Sequence, residues 1–233
     1  MTWTLIESAT EHDSVLELYG KDGKFMIRAN GLELMNGFSH ESETALGAFA
    51  AGLAPSDGAR FLVGGLGLGY TVAALVAAVE NRSTVTVAEM SSDVIAWFQQ
   101  HVKPSVLPHD PANLSIAHAD VAALLAEPSR YDVIILDVDN GPEALVAAAN
   151  ADLYRDGGLR ALHGCLADRG VALLWSGFES ADFAARAQEA GFAVTCEPFR
   201  RERADLDHYI YVLTKDDAAA AGRGIPIINH VVV

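Results

Sequence analysis

The segment "YDVIILDVDNGPEAL" ends an apolar run on Asp137, Asp139 and Asn140, just before a Gly-Pro break. Carboxylates at the C-terminal end of a buried parallel strand lie in the crevice where α/β sheets take their ligands. There they can hold a protonated amine, assist the loss of its proton and aim its lone pair. The competing reading makes Asp137 a cap for the following turn and leaves Asp139 in solvent. Upstream, "FLVGGLGLGYT" places Gly65, Gly67 and Gly69 in a G-x-G-x-G loop with no charged residue. A dinucleotide fingerprint needs glycine at i, i+2 and i+5, and from Gly65 the i+5 position is Tyr70, whose ring obstructs close packing around a pyrophosphate. The loop instead has the form used for S-adenosylmethionine, a nucleoside without phosphates that still requires bare backbone at the turn. Glu89 ends the next strand, twenty residues after Gly69, where a carboxylate accepts hydrogen bonds from both ribose hydroxyls. Asp120, with Val121 beside it, is placed to reach an adenine amino group. It is equally well placed as the N-cap of the helix "VAALL", and the two roles are compatible.

These residues need a scaffold, and the hydrophobic pattern supplies one. Residues 14–36 read as an antiparallel meander, "SVLELY", "FMIRA" and "LELMN", separated by a "GKDGK" turn and an Asn30-Gly31 turn. From about His40 to Leu53 the pattern is helical, and "APSDGAR" leads into a strand at Phe61. Beyond it, strand-like runs alternate with helical ones: "TVAALVAAVE", "TVTVAE", "SDVIAWFQQHV", "LSIAHA", "VAALLA", "YDVIILDVD", "GVALLWSG" and "SADFAARAQEAG". Strands separated by such helices imply parallel crossovers, and the last two, "FAVTCEPF" and "HYIYVLTK", are joined without a helix and imply an antiparallel closing hairpin. The expected class is α/β: a class I methyltransferase-like Rossmann fold, mostly parallel with an antiparallel last strand, preceded by a small antiparallel β unit. The expected domains are a β meander over residues 1–40, a nucleoside-binding catalytic domain over 41–215 and a tail over 216–233.

Composition bounds the partners. The 233 residues carry a formal charge of −15, which repels a nucleic-acid backbone or an anionic membrane and attracts a small cationic acceptor. A solvated acidic surface is also an ordinary solubility device. The N-terminus lacks a basic region followed by an apolar run, and no apolar segment approaches a membrane span, so a cytoplasmic protein is expected. Cys165 and Cys196 stand alone, and the histidines lack metal spacing, so they read as structural thiols and as surface or core imidazoles; no metal site is expected.

Taken together, the meander, glycine loop, strand-end acids and their order make the chain resemble the spermidine synthase family of aminopropyltransferases over most of its length. The resemblance implies a homodimer, dimers being common in that family. It also implies a nucleoside site over Gly65 to Thr71, Glu89 and Asp120, and a catalytic role for Asp137. Three departures bear on activity. The family's loop reads approximately "GGGDGGT", its aspartate holding the ammonium of decarboxylated S-adenosylmethionine and disfavouring the intact cofactor's carboxylate; Leu68 stands at that place here. In "FSHESETAL", Glu43 matches a family glutamate, while Glu41 and Ser42 replace the aromatic and the imidazole or amide that grip a diamine. In "DVDNGP", shorter than the family's "DxxDPxGP", Asp137 is kept and Asn140 replaces the second carboxylate.

Leu68 leads to the first expectation, an S-adenosylmethionine-dependent methyltransferase acting on a small, amine-bearing acceptor. Asp137 and Asp139 would be catalytic, with His40, Glu41, Glu43 and Asn140 lining the acceptor mouth. Methyl and aminopropyl transfer are both in-line attacks at a carbon on the sulfonium, so the second expectation is aminopropyl transfer from decarboxylated S-adenosylmethionine. The third is a non-catalytic nucleoside-binding homologue.

Overall fold

The computed structural model describes residues 2–11, 14–55, 57–128, 130–138, 141–142, 148–199 and 208–215. Asp139, Asn140, most of the charged segment before the last strand and the tail from residue 216 lie outside them. Four antiparallel strands come first: β1 (Thr4–Glu11), β2 (Ser14–Lys21), β3 (Lys24–Ala29) and β4 (Leu32–Asn36), paired in sequence order. The sequence reading found the last three and their turns. It missed β1, whose alternation is broken by a bulge between Leu5 and Glu7 and whose Leu5 and Ile6 side chains stand largely in solvent.

Helix α1 (Glu41–Gly52) then leads into a seven-stranded sheet of order β10-β11-β9-β8-β5-β6-β7. Its strands are β5 (Arg60–Gly64), β6 (Thr84–Glu89), β7 (Leu114–His118), β8 (Tyr131–Leu136), β9 (Leu166–Ser176), β10 (Ala193–Phe199) and β11 (His208–Thr214). Strands β5 to β9 pair in parallel, whereas β11 runs antiparallel to both β9 and β10. This is the class I methyltransferase-like α/β architecture with its antiparallel last strand. The crossover helices include α2 (Tyr70–Val79), α5 (Val121–Leu125), α6 (Asp156–Cys165) and α7 (Ala181–Glu189). The single helix read over "SDVIAWFQQHV" is α3 (Ser92–Trp97) continued by a π turn (Phe98–Val102) into α4 (Lys103–Val106).

The sheet is buried on both faces, so its central strands are near-continuous apolar runs, as parallel strands must be. One face packs Phe61, Val63, Val133, Ile135 and Leu173 under α1 and α2, and the other packs Leu62, Ile134, Leu159, Leu174 and Phe183 under α5 to α7. Leu18 and Ile27 of the meander join the first of these cores. The free thiol of Cys165 is fully buried and that of Cys196 half-buried. Strand order reverses at β5, from which the chain builds outward to β6 and β7 and then returns to β8 on the other side. The carboxyl ends of β5 and β8 therefore flank the switch point where such sheets bind ligands.

Candidate active site

The glycine loop opens at that switch point. Gly65, Gly67 and Gly69 have φ of +89°, +48° and +78°, a region that side-chain-bearing residues rarely adopt. Protein atoms also crowd all three. A Cβ would come within 2.2 Å of the Asp137 carbonyl oxygen at Gly65, 1.9 Å of Met35 Sδ at Gly67 and 2.4 Å of the Phe98 ring at Gly69. The bare backbone expected for a ligand's sake is therefore already required by neighbouring protein. The loop amides are engaged as well. Gly65 N–H donates to the Ala88 carbonyl (2.9 Å), Leu66 N–H to Glu89 Oε2 (2.9 Å), Leu68 N–H to Met35 Sδ (3.3 Å) and Gly69 N–H to the Leu66 carbonyl (2.8 Å). An anionic group meets no free donor at these four positions, which suits a ligand without phosphates.

Glu89 is half-buried at the end of β6, bridging the loop to Ser91 N–H at 2.9 Å through its second oxygen. Each oxygen retains a lone pair, so the carboxylate is held rigidly and can still accept from a ligand hydroxyl. Asp120 is exposed and caps α5, accepting from Ala122 N–H at 2.9 Å. Val121 is buried against Gly64. Leu68, expected at the cofactor's edge, has its side chain fully buried in the apolar core.

Two carboxyls lie beside the loop. Asp137 follows β8, where its N–H donates to the Gly64 carbonyl (2.9 Å), and its Oδ2 accepts from Thr71 Oγ1 at 2.6 Å. Burial pushes its pKa up to about 6 against the Thr71 hydrogen bond. Glu43 sits in the first turn of α1, where burial, followed by the charge of Asp137, pushes its pKa up to about 7. Its Oε2 accepts from Ser42 Oγ at 2.5 Å, and that hydroxyl is 2.8 Å from His208 Nδ1 at the start of β11. The His208 ring meets Trp175 edge-on, centroids 4.6 Å apart, and the buried Trp175 Nε1 has no hydrogen-bond partner among the described residues. Gly47 lets α1 approach this closely: a Cβ there would lie 2.2 Å from the Thr71 carbonyl oxygen on α2. Glu41 is exposed, and His40 stacks on the Tyr70 ring at 3.8 Å, its Nδ1 3.0 Å from Thr44 Oγ1. Burial lowers the His40 pKa and raises that of Tyr70.

The fold thus gathers Gly65, Gly67, Gly69 and Glu89 around the mouth of β5, and brings Asp137 and Glu43 close enough for one charge to act on the other. Asp139 and Asn140 lie outside the described residues. Sequence reasoning passed over Thr71 as a ligand of Asp137, and it read His208 as an ordinary surface or core imidazole. A usable signal existed for His208. An antiparallel last strand begins at the edge where the parallel strands end, so its first residue faces the crevice.

Solved structures carry the same fold. A spermidine synthase in complex with the transition-state analogue AdoDATO superposes with a TM-score of 0.72 at 16% identity, over 91% of this chain and 72% of that one. The spermidine synthase from Thermotoga maritima gives 0.73 at 16% identity, covering 91% and 73%. A probable spermidine synthase from Corynebacterium glutamicum gives 0.66 at 18% identity, covering 91% and 80%. No protein-family model matches the sequence, and no curated protein does. The chain therefore has a spermidine synthase-like fold, as its motifs implied, with a low level of sequence identity to these structures.

Proposed function

We propose that the protein transfers an aminopropyl group from decarboxylated S-adenosylmethionine to a small amine. The observation that carries this reading is the electrostatically coupled pair of carboxyls, half-buried Asp137 and buried Glu43, beside a glycine loop whose amides at positions 65, 66, 68 and 69 are already engaged. The intact cofactor brings a carboxylate, which would meet Glu89, Glu43 and Asp137 without a free donor at those amides. The decarboxylated form brings only cationic groups, and the net charge of −15 favours it further. The solved structures of this fold named above are spermidine synthases, one of them holding a transition-state analogue.

The residues divide the work as follows. Gly65 to Gly69 and Glu89 hold the nucleoside, with Asp120 and Val121 at its base. The bound sulfonium supplies an electrophilic carbon. Asp137, fixed by Thr71, orients the acceptor ammonium. Glu43, with a pKa near working pH, takes the proton that the nitrogen must lose before its lone pair attacks in line. His40, Glu41 and Tyr70 line the mouth.

A second reading, methyl transfer from S-adenosylmethionine, rests on Leu68. The loop offers no carboxylate at that position to pair with a cofactor ammonium, and its side chain lies in the core. Parallel calorimetry with both cofactors, followed by assay of the thioether released in the presence of small diamines, separates the two. Tighter binding of the decarboxylated form and release of methylthioadenosine is the expected result. Preference for S-adenosylmethionine with release of S-adenosylhomocysteine would overturn it, and binding without turnover of either would point to a non-catalytic nucleoside-binding protein.

A further inference from the structure

A hydroxyl owns a single proton, and that constraint links two residues far apart in the chain. Ser42 Oγ, almost completely buried, stands 2.5 Å from Glu43 Oε2 and 2.8 Å from His208 Nδ1. When its proton points to Glu43, the contact with His208 is a hydrogen bond only if Nδ1–H donates to Oγ. When the proton points to Nδ1, that nitrogen must be bare, and Glu43 must itself be protonated to donate back. Two protons occupy the trio in either arrangement, and what differs is whether the carboxyl or the ring holds the outer one. An imidazolium has no lone pair, so a charged His208 permits only the arrangement in which the Ser42 hydroxyl donates to Glu43, a hydrogen bond that favours the carboxylate.

We propose that His208, acting through the Ser42 hydroxyl, is the positioning residue that holds Glu43 as a carboxylate and aims it at the acceptor amine. The amine in that statement rests on the transferase reading; the coupling of Glu43 to His208 does not. Other groups around Glu43 oppose ionisation. Burial comes first, then the charge of Asp137 from the end of β8, and Glu41 on the same helix acts in the same direction. Tyr70 on α2 also feels the Glu43 charge. On the far side, the Trp175 ring on β9 fixes the imidazole edge-on. The Ser42 and His208 donors are thus the counterweight that leaves Glu43 able to accept a proton near neutral pH.

The test uses the full chain without ligand. Imidazole nitrogen NMR reads the state of His208 Nδ1, and carboxyl-carbon NMR follows Glu43, assigned by comparison with Glu43→Gln. Nδ1 is expected to be protonated at neutral pH. The Glu43 midpoint is expected to rise by about half a pH unit or more in Ser42→Ala and His208→Phe, and to return in Ser42→Thr, which restores the hydroxyl. A bare Nδ1 in the wild-type protein, or unchanged midpoints in the two variants, would overturn the proposal. The wild-type ring spectrum decides even where a variant fails to fold. No cofactor or acceptor enters the measurement, so its outcome is independent of whether the transferase reading survives its own assay.

Discussion

Asp137 and Glu43 differ from surface acids because the fold prefers them protonated. Their pKa values, about 6 and about 7, stand above the ordinary 3.8 and 4.5, so their protonated forms add stability that is complete below about pH 4 and is lost as pH rises through 6 and 7. Thermal melts from pH 4 to pH 8 are expected to show a decline, with Glu43 accounting for roughly 3 kcal/mol of it, and Glu43→Gln is expected to flatten its upper half. The proposed transfer requires the opposite state, because a protonated Glu43 cannot accept an amine proton. Asp137→Asn is expected to cut turnover by about a hundredfold or more while calorimetric affinity for the nucleoside changes little, since the proposed mechanism sets Asp137 at the acceptor rather than at the ribose. Asp137 was legible as a strand-end acid, and Glu43 as a match to a family glutamate. Their raised pKa values were not, because desolvation depends on what α1 and α2 lay over them.

At the scale of elements, the glycine loop is held as much by β4 and the π turn as by its own sequence. Met35 Sδ accepts from Leu68 N–H and fills the space in front of Gly67, where the backbone has φ of +48°. Gly67→Ala is expected to lose about 2 kcal/mol or more in denaturant unfolding, from the clash and the positive φ together. Met35→Ala introduced alongside it relieves the clash but not the φ, so the double variant is expected to recover only part of the loss. Strand–helix alternation was readable because period and turn residues are local properties. The contact of Met35 with the loop was not, because nothing in "LELMN" says which face of a small meander meets a distant turn. The missed strand β1 makes the same point. Its Glu7 accepts from Trp97 Nε1 at 3.2 Å and pairs with His101 at 2.5 Å, and Glu11 accepts from Ser91 Oγ at 2.7 Å. It is tied down by polar contacts to α3 and the π turn that hydrophobic periodicity does not register.

Across the whole molecule, an acidic chain surrounds a site built from acids. Long-range attraction for a cationic nucleoside or amine should fall as salt shortens the reach of the field. Calorimetric affinity for decarboxylated S-adenosylmethionine is expected to weaken several-fold between about 0.05 and 0.5 M salt, and less steeply for its thioether product, which has lost the sulfonium charge. Among the described residues, no helix is long and apolar enough to cross a membrane.

By itself the sequence determined the α/β class, the antiparallel closing hairpin, the glycine turn and the acids at the ends of β6 and β8, because each follows from the identity and spacing of neighbours within one or two elements. The tertiary structure decided which distant groups share a proton or a cavity. It laid α1 on α2 at Gly47 and so brought Glu43 within reach of Asp137. It set His208, 166 residues away, against Ser42, and it buried the Leu68 side chain beneath the loop. Burial and electrostatic coupling depend on distances through space, and a linear pattern of residues carries no record of them.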